Sequence, residues 1–244
     1  MPQAPPDPHH ADRAPDEIAG MFDRIAGRYD LLNRVLSAGR DRTWRARAVE
    51  ALQLQGGETV LDLCTGTADL LLALAPPRGA AGRVVGVDFS AEMLRLGHRK
   101  VRRSPARGAL ALLRGDAERI PLGDRSVNGV TIGFGIRNVQ DRVAALGEVR
   151  RVLRPGGRLA ILEFGTPGPA ALRALYLWYF QRLLPLVGRL VSRHASAYSY
   201  LPASVGAFPA PAAFCAMLEQ AGFTDVRCEP LTLGIVCLYT ARAA

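Results

Sequence analysis

The sequence predicts a single α/β domain: a mostly parallel sheet with helices on both faces. Three observations predict it. Strand-like apolar runs alternate with helix-like runs through the middle of the chain, which is the pattern of βαβ units with right-handed crossovers. The first run, "TVLDL" (59–63), passes straight into a turn of small residues, "CTGTAD" (64–69), and from there into a leucine-rich helix. Two further strand-like stretches near the C-terminus, "VRCEPLT" and "IVCLYTARA", are separated only by Leu233-Gly234 and read as an antiparallel hairpin closing the sheet edge. With 244 residues, 49% hydrophobic and 22% charged, one domain with an ample core is the default.

Taken in order, residues 1–16 are rich in Pro and polar side chains and are expected to be a disordered tail, in which His9 and His10 are solvated. A single domain is expected over 17–244. Its first part, 17–55, reads as a helical cap. Ile18, Met21, Phe22, Ile25, Tyr29, Leu32, Val35 and Leu36 recur at helical steps, and a second helix is expected from Trp44 to Leu54, stopped by Gly56-Gly57. The central part, 56–165, carries the strand-like runs 59–63, 83–88, 109–116, 127–135 and 158–165, with helices expected over 69–75, 91–102 and 142–153. "RPGG" (154–157) ends the last of these helices with Pro and Gly. A helical insertion is expected over 166–225 and the hairpin over 226–244.

In an open α/β sheet, ligands bind outside the carboxyl ends of the strands where the strand order reverses. The turn at 64–69 sits at such an end. Gly66 and its small neighbours let a ligand approach the backbone, and Asp62 and Thr67 flank it. Neither G-x-G-x-x-G nor G-x-x-x-x-G-K-[ST] is present, so neither dinucleotide nor phosphate-loop chemistry is indicated. The second run ends in Asp88, where a carboxylate can accept both hydroxyls of a ribose. Asp116 and Ala117 follow the third run, where an adenine would be read. A nucleoside without a phosphate chain suggests S-adenosylmethionine. The plainer alternatives are caps and turns: Asp62 and Asp69 as turn acids, Asp88 capping the helix that starts near Ser90, and Asp116 as a loop acid.

Charge and cysteine usage narrow the classes. The net charge is +9, almost all from arginine, but the arginines form no block of five, which argues against nucleic acid. Cys64, Cys215, Cys228 and Cys237 show no C-x-x-C or zinc spacing, so no metal site is expected. No apolar run of membrane-spanning length and no secretory signal is seen, so the expected location is the cytoplasm, with reduced thiols. "ALRALYLWYFQRLLPLVGRLV" (171–191) is apolar around most of its helix and interrupted by arginines. It reads either as a helix packed on the core or as a lid for a lipid tail, with Arg173, Arg182 and Arg189 near anionic head groups.

From Met21 to the C-terminus the chain resembles the class I S-adenosylmethionine methyltransferases, and within them the ubiquinone/menaquinone-biosynthesis C-methyltransferase family. The resemblance rests on "MFDRIAGRYDLLNRVLSAGRDRTWR" (21–45), "DAERIPLGDRSV" (116–127), "FGIRNV" (134–139), "RVLRPGGRLAILEF" (151–164), "YSYLPASVGAFP" (198–209), "AGFTDV" and "LTLGIV". It implies a Rossmann-like fold, here a mostly parallel seven-stranded sheet with a terminal antiparallel strand. It implies C-methylation of a polyprenylated quinol, with S-adenosyl-L-methionine as methyl donor. Cofactor contacts are implied at Thr67, Asp88, Asp116 and Ala117, and a serine that contacts the cofactor in some members falls on Gly133. The family's usual G-T-G-D reads Gly66-Thr67-Ala68-Asp69, so a methyl group enters a tight turn where φ > 0 would be strained.

The chemistry asks for a reduced ring that loses a hydroxyl proton and becomes nucleophilic at the neighbouring carbon, a base, and a group that stabilises the oxyanion. Arg137 and Asn138 are the catalytic candidates, the arginine holding the oxygen and Asn138 orienting a water. The alternative for Arg137 is a pair with Glu163 or Asp141 that pins the loop. His194, Tyr29, Tyr198 and Tyr200 are further candidates for proton transfer. The resemblance favours demethylmenaquinol as substrate over a benzoquinol of the ubiquinone pathway. An RNA methyltransferase and a non-catalytic scaffold of quinone enzymes are the other readings. The lipid substrate implies contact with the inner face of the cell membrane; the oligomeric state is open, a homodimer among the options.

Overall fold

A computed structural model describes residues 37–75, 81–165 and 203–244, with Gly20, Asp23, Ala26, Gly27, Asp30, Leu31, Asn33, Arg34 and Pro167. The expected tail, the 171–191 helix, Tyr29, His194, Tyr198 and Tyr200 lie outside the described residues.

Helix α1 (Asp41–Ala51) leads into β1 (Thr59–Leu63), α2 (Asp69–Leu74), β2 (Arg83–Asp88), α3 (Ala91–Arg102) and β3 (Leu110–Arg114). Then come β4 (Val127–Gly133), α4 (Arg142–Val152), β5 (Leu153–Phe164), α5 (Pro211–Gln220), β6 (Phe223–Leu231) and β7 (Val236–Ala243). Among the described residues, the strands make one seven-stranded sheet in the order β3-β2-β1-β4-β5-β7-β6. Strands β1 to β5 pair in parallel, and β7 runs antiparallel between β5 and β6. The expected hairpin is therefore present, with its last strand inside the sheet and β6 at the edge.

The central strands are continuous apolar runs because both of their faces are covered. On one face Leu61, Leu63, Val130 and Ile132 pack with Leu146 and Val149 of α4 and Phe214 of α5. On the other, Val60, Val84 and Ala160 pack with Trp44 and Ala48 of α1 and Leu71 and Leu74 of α2. Helix α3 has Ser90 as its N-cap, accepting from the Met93 N–H, with Glu92 in the first turn and Arg99, Lys100 and Arg102 in the last. Those charges match the helix dipole. Asp141 caps α4 the same way, accepting from the Ala144 N–H.

The boundaries differ from expectation in instructive places. Helix α1 starts at Asp41 and stops at Ala51, before the glycines, because Gln53 already turns to φ 46°. Strands β3 and β4 are shorter than their apolar runs. "RPGG" does end α4, but it lies within β5 as a bulge: Val127 pairs with Leu153, Gly129 with Arg158, and the residues between are looped out. Gly156 there has φ +74°. The β6–β7 connection is a 3-10 turn over Thr232–Gly234 rather than a two-residue loop.

Candidate functional site

The strand order reverses between β1 and β4, and a cleft opens at their carboxyl ends. It encloses about 840 Å³, part of it open to solvent. Its lining comes from four strand ends: Leu63, Cys64 and Gly66 after β1; Val87, Asp88 and Phe89 at β2; Gly115 to Glu118 after β3; and Gly133 to Gly135 with Asn138 to Gln140 after β4. Met93 of α3 completes the wall.

Asp88 is the charged centre of this wall. It is buried, and each carboxylate oxygen already accepts one backbone amide: Gly66 N–H at 2.8 Å and Ser90 N–H at 2.9 Å. Burial pushes its pKa up, while those amides pull it back. A carboxylate has about four acceptor positions, so these amides leave capacity for a ligand's hydroxyls. The cap suggested for Asp88 is thus realised in part, since Ser90 itself caps α3 and Asp88 holds the Ser90 amide.

Asp116 and Ala117 line the cleft on the β3 side, with the Asp116 carboxylate accepting the Glu118 N–H at 3.0 Å. This loop is held from α4. The Arg151 guanidinium donates to the carbonyls of Ile120 and Leu122, and Glu148 accepts the Ile120 N–H. Gly66 and Gly133 also line the cleft.

Two expected contacts are placed elsewhere. Asp62 is buried under the turn, where it accepts the hydroxyls of Thr65 (2.5 Å) and Thr131 (2.8 Å); burial pushes its pKa up to about 6. It shapes the turn and does not line the cleft. The Thr67 hydroxyl points out of the cleft too, donating to Asp30 at 2.5 Å and accepting from Lys100 Nζ at 3.0 Å. Ala68 takes the left-handed conformation, φ 68° and ψ 24°, that the sequence marks as strained.

The catalytic pair divides. Asn138 lines the cleft. Arg137 is buried and turned to the sheet: its Nη1 lies 2.9 Å from Glu163 Oε1 and also donates to the Phe134 carbonyl, and its backbone N–H reaches Glu163 Oε2. The guanidinium stands 5.4 Å from the Phe164 ring centroid. The loop-pinning alternative to catalysis is therefore the arrangement seen. Phe164 continues an aromatic row, 4.7 Å from Phe134, which in turn is 6.1 Å from Trp44. Phe134 lines the cleft.

The sequence reading missed the apolar walls, Leu63, Val87, Phe89, Met93 and Val139, because nothing in a pattern of hydrophobic residues separates a cleft wall from core. It also missed Glu148 and Arg151, whose three-residue spacing on a helix was the available signal.

The donor set fits a nucleoside. An acceptor carboxylate stands at one strand end, backbone amides and a small acidic loop at the next, glycines allow close approach, and the walls between are apolar. Asp88, Gly66, Asp116 and Ala117 would hold S-adenosylmethionine. A β3-β2-β1-β4-β5-β7-β6 sheet with this cleft is the class I methyltransferase fold. The methyltransferase of Aquifex aeolicus described as SAM-dependent superposes with a TM-score of 0.57 at 19% identity, covering 82% of this chain and 89% of that one. The [4+2]-cyclase SpnF superposes at 0.66 and 15% identity, covering 92% and 94%, so the fold alone does not fix the reaction. Sequence goes further. The chain belongs to the ubiE/COQ5 methyltransferase family, whose model matches residues 10–243. The ubiquinone/menaquinone biosynthesis C-methyltransferase UbiE of Geobacter sp. (strain M21) is 47% identical over 224 residues, 92% of this chain and 95% of that protein. The demethylmenaquinone methyltransferase of Thermus thermophilus is 49% identical over 220 residues, 90% and 98%.

Proposed function

We propose that the protein is an S-adenosylmethionine-dependent C-methyltransferase that converts demethylmenaquinol to menaquinol. The observation that carries this is family membership across residues 10–243, joined to a cleft that keeps Asp88 and the Asp116-Ala117 loop. The 49% identity to the Thermus thermophilus demethylmenaquinone methyltransferase supports the naphthoquinol over a benzoquinol.

When bound, the cofactor supplies a methyl group on a sulfonium, an electrophile that needs no metal to accept the attack of a carbon. The chain's own residues have three tasks. Asp88 takes the ribose hydroxyls, and its position at the end of β2 sets how far the nucleoside reaches along the cleft. Asn138 stands on the β4 side of the cleft, where its amide can hold the quinol oxygen and orient a water that takes the hydroxyl proton out to solvent. Arg137 supports Asn138 from behind: its ion pair with Glu163 ties the Ile136–Asn138 turn to the end of β5. Phe134 offers an aromatic face for the quinol ring, with Phe164 and Trp44 behind it. The polyprenyl tail takes the protein to the surface of an anionic membrane, a contact supported by the net charge of +9.

The test is the quinone profile of a strain lacking the gene, read by mass spectrometry. Demethylmenaquinone should accumulate, and the wild-type gene should restore menaquinone. An unmethylated benzoquinone instead would move the assignment to the ubiquinone branch, and an unchanged profile would end it. In vitro, Asp88→Ala should weaken S-adenosylmethionine binding about ten- to a hundredfold, the value of a charge-assisted hydrogen bond.

A further inference from the structure

Two aspartates outside the cleft converge on the residues that hold Asp88. The described residues between 20 and 34 are helical, and Asp23 and Asp30 are two turns apart, on one face of that segment. Asp23 Oδ1 accepts the Ser90 hydroxyl at 2.5 Å and the Glu92 N–H at 3.3 Å. Ser90 is the residue whose backbone N–H holds Asp88 Oδ1. Asp30 Oδ1 accepts the Thr67 hydroxyl at 2.5 Å, and Asp30 Oδ2 lies 2.6 Å from Lys100 Nζ. Thr67 follows Gly66, whose N–H holds Asp88 Oδ2. Each oxygen of the ribose-binding carboxylate is thus fixed by one amide, and each amide belongs to a stretch anchored by one aspartate of the same N-terminal segment.

Neither aspartate is explained by packing. Ser90 already has a cap partner in the Met93 N–H, and Lys100 already has Asp69 at 2.5 Å. A carboxylate added at the N-terminus of α3 is favourable to the helix dipole, yet it stands close to Asp88 and opposes that charge. What both gain is a fixed relation between the N-terminal segment and the two strand-end turns of the cofactor wall. The observed Thr67 hydroxyl, pointing away from the cleft, is the visible part of this: it serves the segment behind the turn.

We propose that Asp23 and Asp30 are positioning residues of the cofactor site, acting through Ser90 and Thr67 to hold the Asp88 carboxylate in register, so that seating of the N-terminal segment and binding of the nucleoside favour each other. The proposal rests on the S-adenosylmethionine reading of the cleft. Coupling of this kind is reciprocal: whatever loosens the segment weakens the nucleoside, and the nucleoside tightens the segment.

The experiment uses the full chain and S-adenosylhomocysteine as the probe, with calorimetric titration of wild type, Asp23→Ala, Asp30→Ala and the acceptor-keeping Asp23→Asn. Each Ala variant should raise the Kd about tenfold while ligand-free melting stays within a few degrees, and Asp23→Asn should recover most of the loss. In turnover, KM for S-adenosylmethionine should rise with kcat within twofold, as for a residue that positions a binding group without touching the reacting atoms. In wild type, adding the probe should slow amide hydrogen exchange over residues 20–34; this reading needs no variant and stands if an Ala variant does not fold. Binding by both Ala variants equal to wild type, or no change in exchange over 20–34, overturns the proposal. If wild type itself binds no S-adenosylhomocysteine, the cofactor reading fails and this one with it, a result distinct from bound wild type with indifferent variants.

Discussion

Arg137 sits one residue from the cleft wall, yet its charge is spent on Glu163, which is fully buried. A buried pair loses little when both members are replaced by apolar residues, but removing one strands the other charge, at a cost of about 3–5 kcal/mol. Arg137→Ala should therefore lower the unfolding free energy in urea by about that much, and Arg137→Met with Glu163→Gln, which removes both charges and keeps an acceptor for the Arg137 and Phe164 N–H groups, should recover part of it. If Arg137→Ala instead unfolds like wild type while kcat drops roughly 10²–10³-fold, the guanidinium works on the quinol oxygen after all. Asp62 gives a second test at the same scale. Burial holds its folded pKa at about 6, above the ordinary aspartate value near 3.9, so between these values the folded state binds more protons than the unfolded one. Its contribution to stability is complete at low pH and is lost as pH rises through about 4 to 6. Asp62→Asn removes that titration, so the wild-type stability should fall more steeply than the variant's across this window, read as the melting temperature against pH. A parallel pair of curves would mean the carboxylate is ionised in the fold throughout. Of these residues, the identities of Asp88, Asp116, Ala117 and Asn138 as cleft residues were legible in order along the sequence. The direction of Arg137 was not, because a long, flexible side chain on a loop can face either the crevice or the sheet, and only the depth of Glu163 on β5 decides.

The turn between β1 and α2 and the helix α3 behind it fit one another through a single methyl. Ala68 is fully buried in the left-handed region, and a Cβ placed on Gly97 of α3 would lie 3.3 Å from the Ala68 methyl and 3.1 Å from Leu112 Cδ1. Left-handed backbone costs an alanine about 1–2 kcal/mol, and burial of its methyl returns about 0.8. Ala68→Gly should thus change stability by no more than about 1 kcal/mol. Gly97→Ala gains helix propensity of about 1 kcal/mol but must push Ala68 aside, so alone it should destabilise. In the Ala68→Gly background the same change should cost less, since only the Leu112 methyl then has to give, and a thermodynamic cycle in urea should show coupling of about 1 kcal/mol; additivity would mean the two methyls never compete. The elements themselves were well marked in the sequence: β1 and β2 match their apolar runs end to end, and α3 runs from its cap at Ser90 to its basic last turn as expected. The errors fall where local signals mislead. "RPGG" reads as a loop because Pro and Gly are turn residues, yet the sheet carries them as a bulge, since Leu153 is needed opposite Val127.

At the scale of the molecule, the positive charge and the lipid-tailed substrate make one prediction together. Sedimentation with vesicles should rise with the fraction of anionic lipid and fall with salt, as screening at about 0.15 M already shortens such attraction to about 8 Å. Equal binding to neutral vesicles, or none to either, would separate the charge from the substrate's membrane. Among the described residues no helix is long and apolar enough to cross a bilayer. The sheet order was legible only in part: alternation gives parallel neighbours, and the short 232–234 connection gives the hairpin, but no local signal says that the last strand enters between β5 and β6. That placement has a consequence for how the protein is made. The ribosome finishes β5 long before β7 exists, and at about 5–20 residues per second the growing chain waits about 4–16 s with that side of the sheet unpaired. The antiparallel pairing of Arg158–Phe164 with Val236–Arg242 can form only once translation has passed Arg242. A nascent or prematurely terminated chain therefore presents an open β5 edge to its neighbours and to the chaperones that guard such edges, and the last eight strand residues act as the closing stitch of the whole fold.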